Sequence, residues 1–206
     1  MHVIVLGAGL IGVTSAWYLR QAGHAVTVID RQPAAGLETS YANGGQVSVS
    51  HPEPWANPGA PGQVLRWLGR EDAPLLFRPR LDWPQWSWGL RFLRECLPGR
   101  TRRNTVAIAR LALYSRDCLH ALRVETCLEY DRLEKGILHL FFTPREFAQA
   151  GQRAALLLGF GIRAEVLDAR GCLAAEPALA HCRDALCGGL YAPEDETGDA
   201  FAFTQK

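Results

Sequence analysis

The chain has 206 residues, 48% of them hydrophobic and 21% charged, which fits a soluble globular protein of one ordinary domain or two small ones and excludes disorder, collagen and coiled coil. Lys and Arg number 22 against 21 Asp and Glu, and a net charge of +1 leaves no global footprint for nucleic acid or another polyanion. Any partner must be argued from local chemistry. Lysine occurs only at Lys135 and Lys206, a skew that reads as genome composition. The six cysteines include no CxxC and no Cys/His pair at zinc-ligand spacing, so mostly buried free thiols in a reducing cytoplasm are expected.

The apolar start from Val3 to Leu19 lacks a basic leader, and three glycines and two hydroxyl residues interrupt its 17 residues. It falls short of the ~18 to 20 residues that span a bilayer, so the chain is expected to be soluble or peripherally attached. Within it, His2 to Leu6 is a short β-branched run that reads as a buried parallel strand, ending at Gly7-Ala8-Gly9-Leu10-Ile11-Gly12. From Ile11 to Gln21 the pattern is helical, and Gly23 is placed to stop the helix. A second strand runs from Ala25 to Asp30.

A lone GxGxxG is weak evidence, but this one lies between strand and helix, and an acid closes the next strand 21 residues after Gly9. Gly7 permits the tight turn, Gly9 lets backbone approach a pyrophosphate, and Gly12 lets helix pack close to strand. The helix N-terminus, including Ala8, Leu10 and Ile11, offers N–H groups and a partial positive charge to phosphate. Asp30 would accept hydrogen bonds from ribose hydroxyls. The fingerprint serves NAD and FAD alike. After Asp30 come Arg31-Gln32-Pro33 and a polar loop, Glu38 to Gln46, in place of the further short βα units of an NAD dehydrogenase.

His51 to Pro61 carries four prolines and is expected to be loop. Five of the six tryptophans fall between Trp55 and Trp88, interleaved with arginines. Arginine–aromatic packing is the first reading of that stretch, since no clear amphipathic helix is evident; a membrane surface is the second. Pro98 to Arg103 reads as a solvated basic turn, leading into a long helix from an Asn104 N-cap to Glu125. Next come a strand at Ile137 to Phe142 and a helix from a Thr143-Pro144-Arg145-Glu146 capping box to about Leu158. A strand from Ile162 to Leu167, a short helix capped by Asp168 and a strand from Gly189 to Ala192 complete the series. The six histidines are scattered, with no HExxH, Ser/His/Asp or paired-carboxylate arrangement, so a cofactor must carry any reaction.

The pattern from Val3 through Gly7, Gly9, Gly12, Ala16, Leu19, Gly23, Val26 and Val28 to Asp30, with the loop Ser40 to Gln46 beyond it, resembles the FAD-binding start of the D-amino acid oxidase superfamily. More narrowly, Gly23 to Pro33, Glu38-Thr39-Ser40, Ala112 to Leu119 and Asp195-Glu196-Thr197-Gly198-Asp199 resemble the bacterial D-amino acid dehydrogenase small-subunit family, in that family's order over nearly the whole chain. The resemblance implies an α/β fold: a Rossmann-like FAD-binding βαβ unit with a flavin-side loop (1–50), a helical Trp/Arg-rich region packing on it (51–127), part of an α+β substrate domain (128–192) and the start of a return to the FAD domain (193–206).

It also implies FAD as cofactor, with the pyrophosphate on Gly7 to Gly12, the adenosine ribose on Asp30 beside Arg31, and Ser40, Asn43 and Gly44 along the diphosphate. Catalytic residues stay unassigned; Tyr41 and His51 lie just after or within the flavin-side loop, and a loop histidine without catalytic duty is the plainer reading of His51. Tyr191, Asp195 and Asp199 take structural roles. The implied reaction is oxidation of a D-amino acid to a 2-oxo acid and ammonia, with electrons passed to a respiratory quinone or carrier, in the cytoplasm or peripherally at the inner membrane. Another amine, glycine or sarcosine oxidase of the superfamily, or a non-catalytic remnant, are the alternatives. Because family members run much further, the fold is expected to be incomplete after Lys206, and the chain alone is expected to bind FAD poorly and turn nothing over.

Overall fold

β-Branched residues lose side-chain freedom against the preceding turn of a helix but pack well on a pleated surface, and His2–Leu6 accordingly forms strand β1. The computed structural model describes residues 1–73 and 78–206, so the Trp/Arg-rich stretch is described except for 74–77. Helix α1 (Leu10–Gln21) comes after β1, and strand β2 (Ala25–Ile29) pairs with β1 in parallel, from His2 opposite Ala25 to Leu6 opposite Ile29. The chain reverses between α1 and β2 at Gly23, whose φ of +82° lies in the left-handed region that glycine enters without steric cost. The strand expected to be buried is not: in β1 and β2 Val3, Val5 and Val26 are half-covered while Ile4, Leu6 and Ile29 stay exposed, although the apolar runs suit a sheet covered on both faces.

A short strand β3 (Gln46–Val47) ends the polar loop. Next come helices α2 (Ala60–Trp67), α3 (Trp83–Glu95) and α4 (Pro98–Thr126). Beyond them lie strand β4 (Ile137–Phe141), helices α5 (Pro144–Phe147) and α6 (Ala150–Leu158), strand β5 (Glu165–Asp168) and helix α7 (Ala169–Ala175). A 3-10 segment (Pro177–Ala185), strands β6 (Gly188–Ala192) and β7 (Glu196–Thr197), and helix α8 (Ala200–Gln205) close the chain. β4, β6 and β5 form an antiparallel sheet in the order β4-β6-β5, and β3 pairs antiparallel with β7. Two compact units result: Met1–Ser50 with Ser115–Lys206, and His51–Tyr114. The α/β reading with a Rossmann-like βαβ unit and a separate antiparallel sheet holds.

Three expectations need correction. Pro98 to Arg103 is not a turn: proline suits a first helical position, the Arg100 and Thr101 amides donate to the Leu97 carbonyl, and α4 starts there. Asn104 therefore sits inside the helix, its amide donating to Glu95 at 3.0 Å. The Trp-rich stretch, expected to lack a clear helix, supplies α3. The helix expected from Thr143 to Leu158 is broken into α5 and α6, although Thr143 caps α5 as expected, accepting from the Glu146 amide at 3.3 Å. Asp168 likewise caps α7, accepting from the Gly171 amide at 2.7 Å.

In the larger unit, Leu122, Tyr130 and Phe203 form a buried cluster against which Leu10, Leu119, Leu128 and Ala202 pack. Tyr130 meets Phe203 edge-on, with ring centroids 5.3 Å apart. Asp199 caps α8 by accepting from the Phe201 and Ala202 amides at 2.7 and 3.0 Å. The Gln205 side chain donates to the Ala35 carbonyl, so the last helix returns onto the βαβ unit. Tyr191 on β6 also holds backbone in place, its hydroxyl donating to the Lys135 carbonyl at 2.9 Å.

A buried ion pair ties the end of α4 to β7. Glu196, with 6% of its side chain exposed, accepts from Arg123, itself 9% exposed, and lies 2.6 Å from His120 Nε2. Burial alone would raise the Glu196 carboxyl, but the Arg123 and His120 hydrogen bonds and the Arg123 charge outweigh it and hold the group below the ordinary carboxylate value. A depressed native pKa contributes stability that is present above the unfolded value of about 4.3 and is lost as pH falls through the native value. Glu196→Gln is expected to lower stability at pH 7 by about 1 to 3 kcal/mol in urea titrations, because it removes the buried charge facing Arg123 and leaves that guanidinium the more exposed Glu134 at 3.3 Å and the Tyr130 hydroxyl at 3.2 Å. The gap to wild type should narrow as pH falls below about 4; equal midpoints at pH 7 would contradict the assignment.

Candidate functional site

The ladder between β1 and β2 continues into the glycine turn, where the Gly7 amide donates to the Ile29 carbonyl at 2.7 Å. Gly7 has φ +101°, a conformation that strains any L side chain. A Cβ at Gly12 would collide with the Gly7 carbonyl, so α1 lies directly on the turn only because position 12 has no side chain. Gly9 is the N-cap of α1, in extended conformation and without a side chain to cap the helix. Amides of a helical first turn have no intrahelical acceptor and carry the positive end of the helix dipole. Ala8, Gly9, Leu10, Ile11 and Gly12 thus present backbone where β1 ends.

Asp30 directly succeeds β2, and parallel pairing in register carries it to the same end. Its Oδ2 accepts from the Ala8 amide at 2.5 Å and its Oδ1 from the Gln32 amide at 2.7 Å. These backbone hydrogen bonds, Ala8 foremost, hold the Asp30 carboxyl below the usual carboxylate range. A fixed negative charge therefore stands at the turn.

Ser40 comes to the same place from the polar loop. Its Oγ accepts from the Leu10 amide at 3.0 Å and would lie 3.3 Å from a Cβ at Gly9. The hydroxyl thus satisfies one first-turn amide and keeps its own proton to donate. Arg31 turns instead to Glu38, 2.9 Å away, and Gln32 donates to the same carboxylate at 2.6 Å, which closes the 31–38 loop. Asn43 serves the loop itself, its Oδ1 accepting from the Gly45 amide at 2.7 Å, and Gly44 is exposed beside it. Of the residues singled out in the sequence, Gly7 to Gly12, Asp30 and Ser40 are brought together, while Arg31, Asn43 and Gly44 line the loop that leads away. Tyr41 is exposed and meets Phe201 edge-on at 5.2 Å.

One cluster escaped the sequence reading. Asp195, 1% exposed, accepts from Ser48 Oγ at 2.6 Å, Ser50 Oγ at 2.5 Å and the Val49 amide at 2.9 Å. Ser50 Oγ also lies 3.2 Å from His139 Nε2 on β4. Serine, histidine and aspartate do meet, but the serine stands between the other two, so the aspartate does not orient the histidine as in a nucleophilic triad. The arrangement fixes the segment leading from the polar loop. The sequence marked Asp195 for a structural role, and a pair of serines at alternate positions, 48 and 50, is the further signal.

The family described as FAD dependent oxidoreductase (DAO) matches residues 2–206. The chain is 59% identical over 204 residues to the D-amino acid dehydrogenase of Dechloromonas aromatica (strain RCB), covering 99% of this chain and 49% of that protein. It is 52% identical over 207 residues to the D-amino acid dehydrogenase of Paramagnetospirillum magneticum, covering 100% of this chain and 49% of that protein. The chain therefore spans about half the length of the curated relatives it matches. Among solved structures, glycine oxidase from Geobacillus kaustophilus superposes with a TM-score of 0.63 at 21% identity, over 98% of this chain and 41% of that one. An L-alpha-glycerophosphate oxidase from Mycoplasma pneumoniae with FAD bound gives 0.56 at 17%, over 99% and 40%. At these identities the structures speak to fold alone. The glycine cradle, which a side chain at position 12 would fill, and the carboxylate beside it fit the adenosine diphosphate part of the family's cofactor, FAD.

Gly12→Ala forces α1 off the turn and is expected to cost about 1 to 3 kcal/mol in urea unfolding. Gly62→Ala serves as the control, because a Cβ there meets nothing within 4 Å. Equal losses for the two variants would contradict the close packing of helix on turn.

Proposed function

The chain belongs to the FAD dependent oxidoreductase (DAO) family, and from that premise we propose that it forms the cofactor-binding part of a flavoenzyme that oxidises D-amino acids such as D-alanine to 2-oxo acids and ammonia. The observation that carries this reading is the Asp30 carboxylate held at the glycine turn by the Ala8 amide, an acid and a set of helix-start amides within one small volume. The relatives' names support the substrate class.

The backbone of Gly7, Ala8, Gly9, Leu10, Ile11 and Gly12 would hold the pyrophosphate, with the Ser40 hydroxyl donating alongside it. Asp30 would accept from the adenosine ribose hydroxyls through the lone pairs its two backbone donors leave free, with Arg31 next to it. Asn43 and Gly44 would track the diphosphate toward the flavin. Bound FAD supplies the two-electron acceptor for the hydride lost from the substrate Cα. The imino acid left behind takes up water and releases ammonia and the 2-oxo acid. Ser48, Ser50 and Asp195 keep the segment after the polar loop in place, so that this chain mainly orients the reactants and excludes water. The sheet of β4, β6 and β5 would belong to the domain that covers the substrate. Electrons would pass to a respiratory quinone or carrier, which places the protein at the cytoplasmic face of a membrane as a peripheral component.

Co-expression of this chain with the part of the Dechloromonas aromatica relative that it does not match is expected to give a yellow complex that reduces a dye with D-alanine and not with L-alanine. A flavin-loaded complex that oxidises glycine or sarcosine but no D-amino acid would sink the substrate assignment.

A further inference from the structure

The charge of +1 hides a strong division. Positions 51 to 114, the smaller unit, carry ten arginines against five acids, a net of +5, which leaves −4 on the rest of the chain. Within that unit Glu71, Asp72 and Glu95 are already engaged by Arg78, Arg70 and Arg100, so the remaining arginines are in excess.

The same unit exposes Trp55, Trp83, Trp86 and Trp88, while Trp67 is half-buried. On α3, Trp83, Trp86, Leu90 and Leu93 recur at spacings of three, four and three, which puts them on one face of the helix. That face is bare: the four side chains are 76%, 47%, 64% and 50% exposed. On the opposite face Phe92 is half-buried and Cys96 at the helix end is buried, while Trp88, stacked on Phe92 at 5.3 Å, is itself 57% exposed. Trp86 is held in place by its indole N–H, which donates to the Arg80 carbonyl at 2.7 Å, and Gln85 clamps both the Arg80 amide and the Arg78 carbonyl. The exposed stripe is thus built rather than frayed.

Arg91 and Arg94 are exposed on the same helix beside the stripe. Tryptophan and leucine prefer the boundary between headgroups and acyl chains, and arginine can bury its stem there while its guanidinium stays with lipid phosphate. No helix among the described residues is long and apolar enough to cross a membrane, so such contact would be with the surface. We propose that the Trp83–Trp86–Leu90–Leu93 face of α3, with Arg91 and Arg94 at its margin, is a docking surface for an anionic lipid bilayer. Charge decides between this occupant and an uncharged apolar partner, since a stripe meant only for burial against protein gains nothing from Arg91 and Arg94 at its margin in a unit of net charge +5. The inference deepens the peripheral location proposed above and does not rest on the redox chemistry.

The test is flotation of the full 206-residue chain with vesicles of phosphatidylcholine alone or with about one third phosphatidylglycerol. Wild type is expected to float with the anionic vesicles and to be largely released in 1 M salt, where the Debye length is about 3 Å. Trp83→Ser with Leu90→Ser and Leu93→Ser should lower the bound fraction about tenfold or more. Arg91→Glu with Arg94→Glu should lower it by a similar factor on anionic vesicles only. Both sets lie on the surface, and unchanged circular dichroism checks the fold. Failure of wild type to float, or flotation of the triple variant equal to wild type, overturns the proposal. So does a stripe-dependent dimer without lipid binding, or loss of flotation when the relative's other half is added, which would assign the face to a second copy or to that half. Flotation needs no turnover, so a chain that floats but supports no D-alanine oxidation counts against the functional reading alone.

Discussion

The Gly7 carbonyl occupies the space that a side chain at position 12 would need, and the glycine turn and the start of α1 are arranged around that contact. Because α1 starts directly on the turn, its first amides and its dipole face the end of β1 instead of solvent above it. In-register pairing of β1 with β2 then delivers Asp30 to the Ala8 amide, and the polar loop returns Ser40 to the Leu10 amide. Leu10 itself packs on the cluster of Leu122, Tyr130 and Phe203, so the turn is coupled to the core through its own helix. One missing methyl group therefore sets the position of an acid, a hydroxyl and a row of amides.

Two neighbouring carboxylates hold the rest. Successive side chains of an extended segment point to opposite sides, and Asp195 and Glu196 use that alternation to reach different parts of the chain. Asp195 gathers Ser48, Val49 and Ser50, while Glu196 takes Arg123 and His120 of α4. Buried polar groups are costly unless hydrogen-bonded, and here Asp195 is satisfied by two hydroxyls and an amide and Glu196 by Arg123 and His120, all far away in sequence. Their value is geometric: the segment after the polar loop and the end of α4 are fixed to the same pair of residues. Glu194 extends the arrangement by bridging Arg116 and Arg163 at 3.0 and 2.8 Å.

The βαβ unit was legible because its signals are local: a β-branched run, a glycine pattern whose spacing has a steric meaning, and an acid at the end of the next strand. The caps at Thr143 and Asp168 belong to the same class, each decided within three residues. What could not be read depends on distant partners. β3 and β7 are two-residue strands that exist only because Gln46 and Val47 meet Thr197 and Glu196, and no propensity marks them. Helix α3 was hidden by its composition, since tryptophans at both faces blur the polar side that usually reveals an amphipathic helix, and Trp88, stacked on Phe92, is itself 57% exposed. The start of α4 was missed for a simpler reason: a proline and a run of arginines suit the first turn of a helix as well as they suit a loop.

The central claim is that this chain recognises the adenosine diphosphate end of a flavin dinucleotide through the glycine turn and Asp30. Fluorescence titration of folded chain with FAD and, in parallel, with FMN tests it most directly, because FMN lacks the adenosine part. Weak but saturable binding of FAD, weakened further by about tenfold or more by Asp30→Ala through loss of a charged hydrogen-bond acceptor, with no binding of FMN, is the predicted result. Equal binding of the two flavins, or FAD binding indifferent to Asp30, would contradict it.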